Sequence, residues 1–432
     1  MTGTRVAILS TGDEVVEGRI VDTNAAYLAD SVAAIGCEVV CQMTVGDYPE
    51  RLSWAWEHCF DQADVVISTG GLGPTADDLT NETLARVAGV ALVLDQAEAD
   101  RIRGFFERVG RSMPENNLRQ AMLPAGYELI RNDLGTAPGY RLAVSRGGHR
   151  SVAVVLPGVP REMKPMVEQQ VIPWLAASRG EETNVLSRTF QTFGMSESAL
   201  DEALAGVVAP EEGRLAFRAS FPEVSVRLSV MGKPDEARAR LTDLGDRIAK
   251  RIGPAVYGEG SATMQGVVGE LLRSRKETLA VAESCTGGLI GSRVTDVPGS
   301  SDYYCGGVVA YRNDVKRQVL GVSATTLRMF GAVSEETASE MAIGVRRLTG
   351  ATVGLATTGI AGPGGGTPEK PVGTVAIALS TGAADEVRSK TYRLWGTRDW
   401  IKLLTSQVAL DWVRRHALGL DPLDSGFGRR GR

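Results

Sequence analysis

A chain of 432 residues, 43% hydrophobic and 23% charged, has room for about two to four domains with their own cores, and this composition excludes a disordered, collagenous or coiled-coil protein. Lysine and arginine number 47 against 52 acidic residues, a formal charge of −5, which disfavours direct nucleic-acid binding, since that needs a basic face. No apolar run of about 18 residues occurs and the N-terminus lacks a signal-peptide pattern, so no membrane span is expected and the expected compartment is the cytoplasm.

Arg5–Ser10 reads as a buried strand, Asn24–Ile35 as an Ala-rich helix stopped by Gly36, and Val39–Val45 as a second strand. A helix over Pro49–Phe60 and a strand over Asp64–Thr69 follow, then GGLGPT and a helix from about Ala76 to Ala88. Ser151–Leu156 is a further strand, followed by PGVPREM and a helix to about Leu175. Repeated strand–loop–helix units predict a parallel or mixed sheet covered by helices, with ligands at the loops after the strands.

From Ser178 the character changes. SRGEET is linker-like, and Val185–Phe193 and Val224–Met231 read as strands, each followed by a helical pattern, the second being Asp235–Ile252. This predicts a small α+β domain, KH-like in order of elements but without the GxxG loop that clamps a nucleic-acid backbone. It reads as a spacer or dimerisation module. Beyond Tyr257, Met264–Ser274 reads as a helix and Thr278–Ala282 as a strand entering ESCTGG. The strand Gly306–Ala310, a Ser334-capped helix to about Leu348 and the strands Ala351–Thr357 and Gly373–Leu379 complete the series. The end, DSGFGRRGR, reads as a disordered tail.

The five cysteines (Cys37, Cys41, Cys59, Cys285, Cys305) contain no CxxC, and the three histidines are His58, His149 and His416. Disulfide frameworks and zinc ribbons are therefore not suggested, and neither His-based metal clusters nor Ser–His–Asp triads are expected. Two other constellations carry chemistry. In Thr69-Gly70-Gly71-Leu72-Gly73-Pro74-Thr75, glycines after a strand let backbone N–H groups approach a phosphate, and Asp77 and Asp78 are able to hold a divalent cation. The alternative is a plain helix start, with Thr75 and Asp78 as a capping box.

In Glu283-Ser284-Cys285-Thr286-Gly287-Gly288, Ser284 sits where a strand turns into a helix, a place for an exposed nucleophile. The N–H groups of Gly287 and Gly288 offer an oxyanion hole or a phosphate site. The alternative is a capped turn of small residues, and Cys285 is a rival nucleophile, though only one of the two neighbours should face a substrate. The base would come from Tyr311-Arg312-Asn313-Asp314-Val315-Lys316, where a buried lysine acts as base if its pKa falls. A solvated loop lysine is the alternative. The glycines of TGIAGPGGG, directly after a strand, suit close backbone approach to a ligand, with a flexible turn as the alternative.

ILSTGDEVVEGRIVDTNAAYLA, VVISTGGLGPTADDLTNETLA and LPGVPREM resemble the molybdopterin-binding-like domain of the CinA (competence/damage-inducible) proteins. VAESCTGGLI, PGSSDYYCGGVVAYRNDVKRQVLGV, GAVSEETASEMAIGVRR and TGIAGPGGGTPEKPVGTV resemble the C-terminal domain of that family. The resemblance implies a multidomain α/β protein. Residues 1–177 would be a three-layer α/β molybdopterin-binding-like domain, 178–257 the KH-like α+β connector, 258–420 the α/β deamidase domain and 421–432 the tail. It implies two hydrolases of pyridine-nucleotide recycling. One is an ADP-ribose pyrophosphatase giving AMP and ribose 5-phosphate, dependent on Mg2+, Co2+ or Mn2+ at Asp77 and Asp78. There Gly12, Asp13, Asn24, Thr69, Gly70, Gly71, Gly73 and Thr75 would bind ligand. The other is a nicotinamide mononucleotide (NMN) deamidase without a cofactor, with Ser284 as nucleophile, Lys316 as base and Tyr311 supporting proton transfer. Thr286, Gly287, Gly288, Thr358, Gly359, Gly362, Gly364 and Arg398 would line its substrate. A homodimer without membrane or direct nucleic-acid contact is expected. A molybdopterin-binding or adenylylating N-terminal domain, or a non-catalytic adaptor in competence or DNA damage, are the alternatives.

Overall fold

The structure, a computed structural model, describes residues 4–178, 184–382 and 386–424. Most of the expected linker, 179–183, and the tail beyond residue 424 lie outside the described residues. The chain divides into two compact units, Met1–Ser187 with Ser229–Leu241, and Arg188–Leu228 with Thr242–Arg432. The segment expected as a connector is thus divided between them.

The first unit begins with β1 (Arg5–Thr11), the one-turn α1 (Asp13–Val16), α2 (Thr23–Ala34), β2 (Glu38–Val45), α3 (Pro49–Gln62) and β3 (Val65–Thr69). It continues through α4 (Thr80–Ala88), β4 (Leu92–Leu94), α5 (Gln96–Arg108), β5 (Met122–Pro124), β6 (Glu128–Ile130), β7 (Gly139–Arg146) and β8 (His149–Leu156) to α6 (Pro160–Met166) and α7 (Ile172–Ser178). Six strands form one sheet in the order β2-β1-β3-β8-β7-β6. The first four run parallel, and β7 and β6 are antiparallel additions. Alternation along β1 explains the layers: Ala7 and Leu9 face α3 through Leu52, Trp56 and Phe60. Val6 and Ile8 face Leu28 and Val32 of α2 and Met163 of α6.

The helix expected from about Ala76 starts at Thr80 instead. The N–H and Oγ1 of Thr75 both donate to Asp78 Oδ2, at 2.9 and 2.6 Å. The two residues of the expected capping box therefore close a turn ahead of the helix rather than capping it.

Next come β9 (Asn184–Thr192), α8 (Glu197–Leu204), β10 (Arg214–Ser220), β11 (Glu223–Gly232), α9 (Pro234–Ile252) and β12 (Val256–Glu259). The sheet order is β10-β11-β9-β12, four strands where the sequence pattern predicts two. Of these, β11 buries Val224, Val226, Leu228 and Val230 in clean alternation, whereas β10 buries no residue. Along β10 the alternation runs only between exposed and half-buried residues, so it lacks the buried face by which strands are most readily read.

The second unit continues with α10 (Met264–Arg275), β13 (Leu279–Glu283), α11 (Leu289–Thr295), β14 (Tyr304–Val309), α12 (Asn313–Gln318), α13 (Ala324–Met329) and α14 (Glu335–Thr349). It ends with β15 (Val353–Gly359), β16 (Thr374–Thr381), β17 (Glu386–Arg393) and α15 (Arg398–Ala417). The sheet order is β14-β13-β15-β16-β17, with β14, β13 and β15 parallel. One face buries Leu279, Val281, Leu355 and Ile377 against α10, α11 and α15. The other presents Ala280, Ala282, Ala356, Ala376 and Ala378 to α14. These small side chains admit the helix closely: a Cβ on Gly354 would stand 2.2 Å from the Ala342 carbonyl oxygen. Ser334 caps α14 as expected, its side chain accepting from the Thr337 N–H. Among the described residues no helix is long and apolar enough to cross a membrane.

Candidate active sites

In the first unit the ends of β1, β3 and β8 open onto a cavity of about 590 Å³. Gly12, Asn24, Thr69, Gly70, Gly71, Gly73, Asp77 and Asp78 all line it, so the structure brings together most of the residues expected there. Asp13 and Thr75 do not line it. Asp13 is turned to Asp47, donating its N–H to Asp47 Oδ2 (3.1 Å) and accepting the Asp47 N–H on Oδ1 (3.2 Å). Thr75 is held in the turn with Asp78.

The glycine loop is tight. Gly70 and Gly71 have φ of +105° and +64°, and a Cβ on Gly71 would lie 2.2 Å from Thr80 Oγ1. Asn24 donates from Nδ2 to Thr69 Oγ1 (3.2 Å) and to the Gly158 carbonyl (2.8 Å). Its Oδ1, and the hydroxyls of Ser10 and Thr11, are buried without a partner within the protein, so acceptor capacity is left on the cavity side of the sheet.

Glu14, Asp22, Asp47 and Glu162 also line this cavity, and the sequence assigns none of them a role: Glu14 stands in α1, Glu162 in α6, and Asp22 and Asp47 in loops, so no local run groups them. Among the described residues, these with Asp77 and Asp78 make six carboxylates lining the cavity, and neither lysine nor arginine is among its lining. Burial holds Asp47 above the usual carboxylate range, and the charges of Asp13, Glu14 and Asp77 add to this. Asp77 is held below it, chiefly by the Thr75 hydroxyl. Among the described residues no three Asp, Glu, His or Cys side chains converge into a metal cage. The donor set nevertheless suits a divalent ion shared with a ligand phosphate, because Mg2+ is commonly held by one or two carboxylates plus phosphate oxygens and water.

In the second unit a cavity of about 270 Å³ opens where β13 and β15 end. Ser284 follows β13, its N–H donating to the Thr357 carbonyl (2.9 Å). Lys316 reaches it from α12: Nζ lies 3.0 Å from Ser284 Oγ and 2.6 Å from the Ala310 carbonyl. Lys316 is 1% exposed, and burial holds its amine below the ordinary lysine range. This excludes the solvated-loop reading of Lys316. Cys285 lines the same cavity but belongs to the apolar core, and burial pushes its thiol up to about 12. It is therefore a thiol rather than a thiolate near neutrality.

Gly287 and Gly288 depart from expectation. The Gly287 N–H donates to the Ser284 carbonyl, and the Gly288 N–H to the Glu283 carboxylate. Glu283 also takes the N–H groups of Ile290 and Gly291, at 3.1 and 2.9 Å. These glycines thus build the turn, and neither they nor Thr286 line the cavity. Thr286 instead pairs its hydroxyl with that of Thr357 (2.8 Å). The sequence names Glu283 at the head of ESCTGG but gives it no role, since nothing local shows that its carboxylate folds back onto the N–H groups of the next helix.

Thr358, Gly359, Gly362, Gly364 and Arg398 line the cavity as expected, together with Asn313. The glycine loop is strapped down: Thr358 Oγ1 donates to the Ala332 carbonyl, and Lys370 Nζ to the carbonyls of Phe330 and Val333, all at 2.7 Å. Arg398, the first residue of α15, donates to the Gly362 carbonyl (2.7 Å) and to Tyr311 Oη (2.9 Å). Tyr311 is 59% exposed, and its hydroxyl is bonded to Arg398 rather than to Ser284 or Lys316.

Comparison with known proteins gives three family matches: the CinA C-terminal domain over residues 261–417, a "probable molybdopterin binding domain" over 7–177, and the damage-inducible protein CinA KH domain over 187–258. A CinA-like protein of Geotalea uraniireducens is 42% identical over 418 residues, covering 96% of this chain and 98% of the relative. One from Desulfosudis oleivorans is 46% identical over 418 residues, covering 95% and 99%. Among solved structures, the competence/damage inducible protein of Agrobacterium tumefaciens matches 35% of this chain and 93% of its own at 40% identity, with a TM-score of 0.34.

Proposed function

The chain belongs to the CinA family, and from that premise we propose that its second unit hydrolyses the carboxamide of NMN to nicotinate mononucleotide and ammonia. The observation that carries this reading is the buried Lys316 amine 3.0 Å from Ser284 Oγ. Neutral Lys316 takes the Ser284 proton as Oγ attacks the carboxamide carbon. The Ala310 carbonyl, 2.6 Å from Nζ, orients the amine. The resulting ammonium protonates the leaving nitrogen, the C–N bond breaks, and ammonia departs from an acyl-serine. Water, giving a proton to Lys316, attacks the acyl carbon, and Ser284 recovers its proton as the acid leaves. With Gly287 and Gly288 committed to the turn, the Gly362 and Gly364 loop is the source of N–H groups on the cavity wall. Arg398 is the cation for the ligand's phosphate. Ammonia release from NMN by the purified protein, abolished in Ser284→Ala, tests the reading, and no release by the unmodified protein rejects it.

A second activity is proposed for the first unit: hydrolysis of ADP-ribose to AMP and ribose 5-phosphate. Its support is the cavity of six carboxylates without a basic side chain, which accepts a pyrophosphate only together with cations. Asp77 and Asp78 would hold the divalent ion, which supplies charge neutralisation and a more acidic water when bound. The glycine loop places backbone beside the phosphates, and Asn24 Oδ1 offers an acceptor to a ligand hydroxyl. AMP release from ADP-ribose that needs added Mg2+, Co2+ or Mn2+ checks this activity.

A further inference from the structure

The turn between β10 and β11 makes two contacts with the amidase framework, both within the second unit. Phe221, at that turn, stacks on Trp400, with ring centroids 4.2 Å apart and planes 21° from parallel. Trp400 lies in the first turn of α15, where its N–H donates to the Thr397 side chain. Two residues before it, Arg398 grips the Gly362 carbonyl and Tyr311 Oη. Two residues after Phe221, Glu223 accepts from Gln407 Nε2 (2.6 Å), and Gln407 Oε1 accepts from Arg293 (2.6 Å) on α11. That helix follows the Ser284 turn.

From this arrangement we infer that Phe221 and Trp400 are positioning residues for the amide-hydrolysing site: the hairpin of the KH-like segment sets where Arg398 holds the glycine loop. The segment is then a working part of this site and not a spacer. The inference rests on the amidase reading for its substrate, but not for its geometry. Trp400 is 47% exposed despite the stack, so the ring contributes little to the core. What the contact fixes is the start of α15. Without it, the first turn keeps its Thr397 cap and the buried Ile401, but the exposed side of α15 at Arg398 loses its packing partner, and Arg398 gains freedom at the point where it must meet both the loop and a ligand phosphate.

The test compares Phe221→Ala, Trp400→Ala and Trp400→Phe in the full chain by NMN kinetics and by hydrogen exchange of residues 359–366. Both alanine variants are expected to raise KM about two- to tenfold with kcat little changed, the range of one lost aromatic pair. They should also quicken exchange in the glycine loop. Trp400→Phe keeps a stacked ring and restores both readouts towards the parent. The double variant Phe221→Ala/Trp400→Ala is no worse than either single one. Unchanged loop exchange in both alanine variants overturns the inference, as does a fall in kcat at constant KM. If the unmodified protein releases no ammonia, the amidase reading fails, while the exchange measurement still decides whether the hairpin holds the loop.

Discussion

Replacing Lys316 by methionine separates the chemistry of the second site from its stability. The side chain is 1% exposed and its amine meets two oxygens, Ser284 Oγ at 3.0 Å and the Ala310 carbonyl at 2.6 Å. Removing a general base costs about 10²–10⁴-fold in rate, or about 3–5 kcal/mol of transition-state stabilisation. Stability follows a different course. Methionine leaves the Ala310 carbonyl without its donor, a loss of about 1–3 kcal/mol, but removes the cost of burying an amine. The net change near neutral pH is expected within about 2 kcal/mol. The sign of the pH dependence is fixed by the lowered amine pKa. Between the folded value and the ordinary lysine value of about 10.5, the unfolded chain binds the extra proton. The parent therefore gains stability over Lys316→Met as pH rises through that window, and loses it as pH falls through the folded pKa. Urea unfolding of both proteins at several pH values measures this. The kcat/KM of the parent climbs as pH rises through the folded amine's lowered pKa and is level above it, below the ordinary lysine range. A variant that keeps more than about a tenth of the activity, or a parent profile that levels only in the ordinary lysine range, refutes the assignment.

Three further outcomes follow from the geometry. Ser284→Ala loses ammonia release, whereas Cys285→Ala keeps it within about threefold, because a thiol held up to about 12 contributes no thiolate; steady-state ammonia assays decide. Glu283→Gln, which removes the charge accepting the N–H groups of Gly288, Ile290 and Gly291, destabilises the second unit by about 1.5–3 kcal/mol and lowers kcat, as read by thermal unfolding beside NMN kinetics. Gly71→Ala places a Cβ 2.2 Å from Thr80 Oγ1 at a φ of +64°, so ADP-ribose hydrolysis falls at least about tenfold while NMN hydrolysis stays unchanged.

How far the sequence pointed to these sites depends on how each residue is placed. Ser284 was legible because β13 ends there in a run of small residues, and Lys316 because it follows another strand end. The contact between them crosses 32 positions and is made by the parallel pairing of β13 with β14, which no local pattern encodes. The Gly287–Gly288 pair misled for a physical reason. Glycines after a strand serve a ligand or a turn equally well, and only the Glu283 carboxylate, folded back onto their helix, tells which. No strand is expected over β7, although YRLAVSR alternates the buried Tyr140, Leu142 and Val144 with Arg141, Ala143 and Ser145. Asp47, in the loop after β2, and Glu162, in α6, share a cavity only after the sheet has formed. Thr75 and Asp78 show the reverse case: the paired residues were read correctly, but four residues too early for the helix.

The two cavities occupy the same kind of place, the loops beyond parallel strands, yet differ in charge: carboxylates line the first, a buried amine and Arg398 the second. On the proposed reactions this difference is required. Amide hydrolysis starts from a neutral carbonyl and needs one proton moved at one atom, so a single amine stripped of water suffices and burial alone tunes it. Cleaving a pyrophosphate starts from charge already present on the ligand. A cavity built from carboxylates gives that charge no partner, so the neutralising cations must come from solution with the ligand. On these proposed reactions the first site would answer to divalent-ion concentration and the second would not. A chelator that stops AMP release while leaving ammonia release untouched is the expected outcome; AMP release that survives chelation overturns the metal requirement of the first site, and loss of ammonia release overturns the metal-free reading of the second.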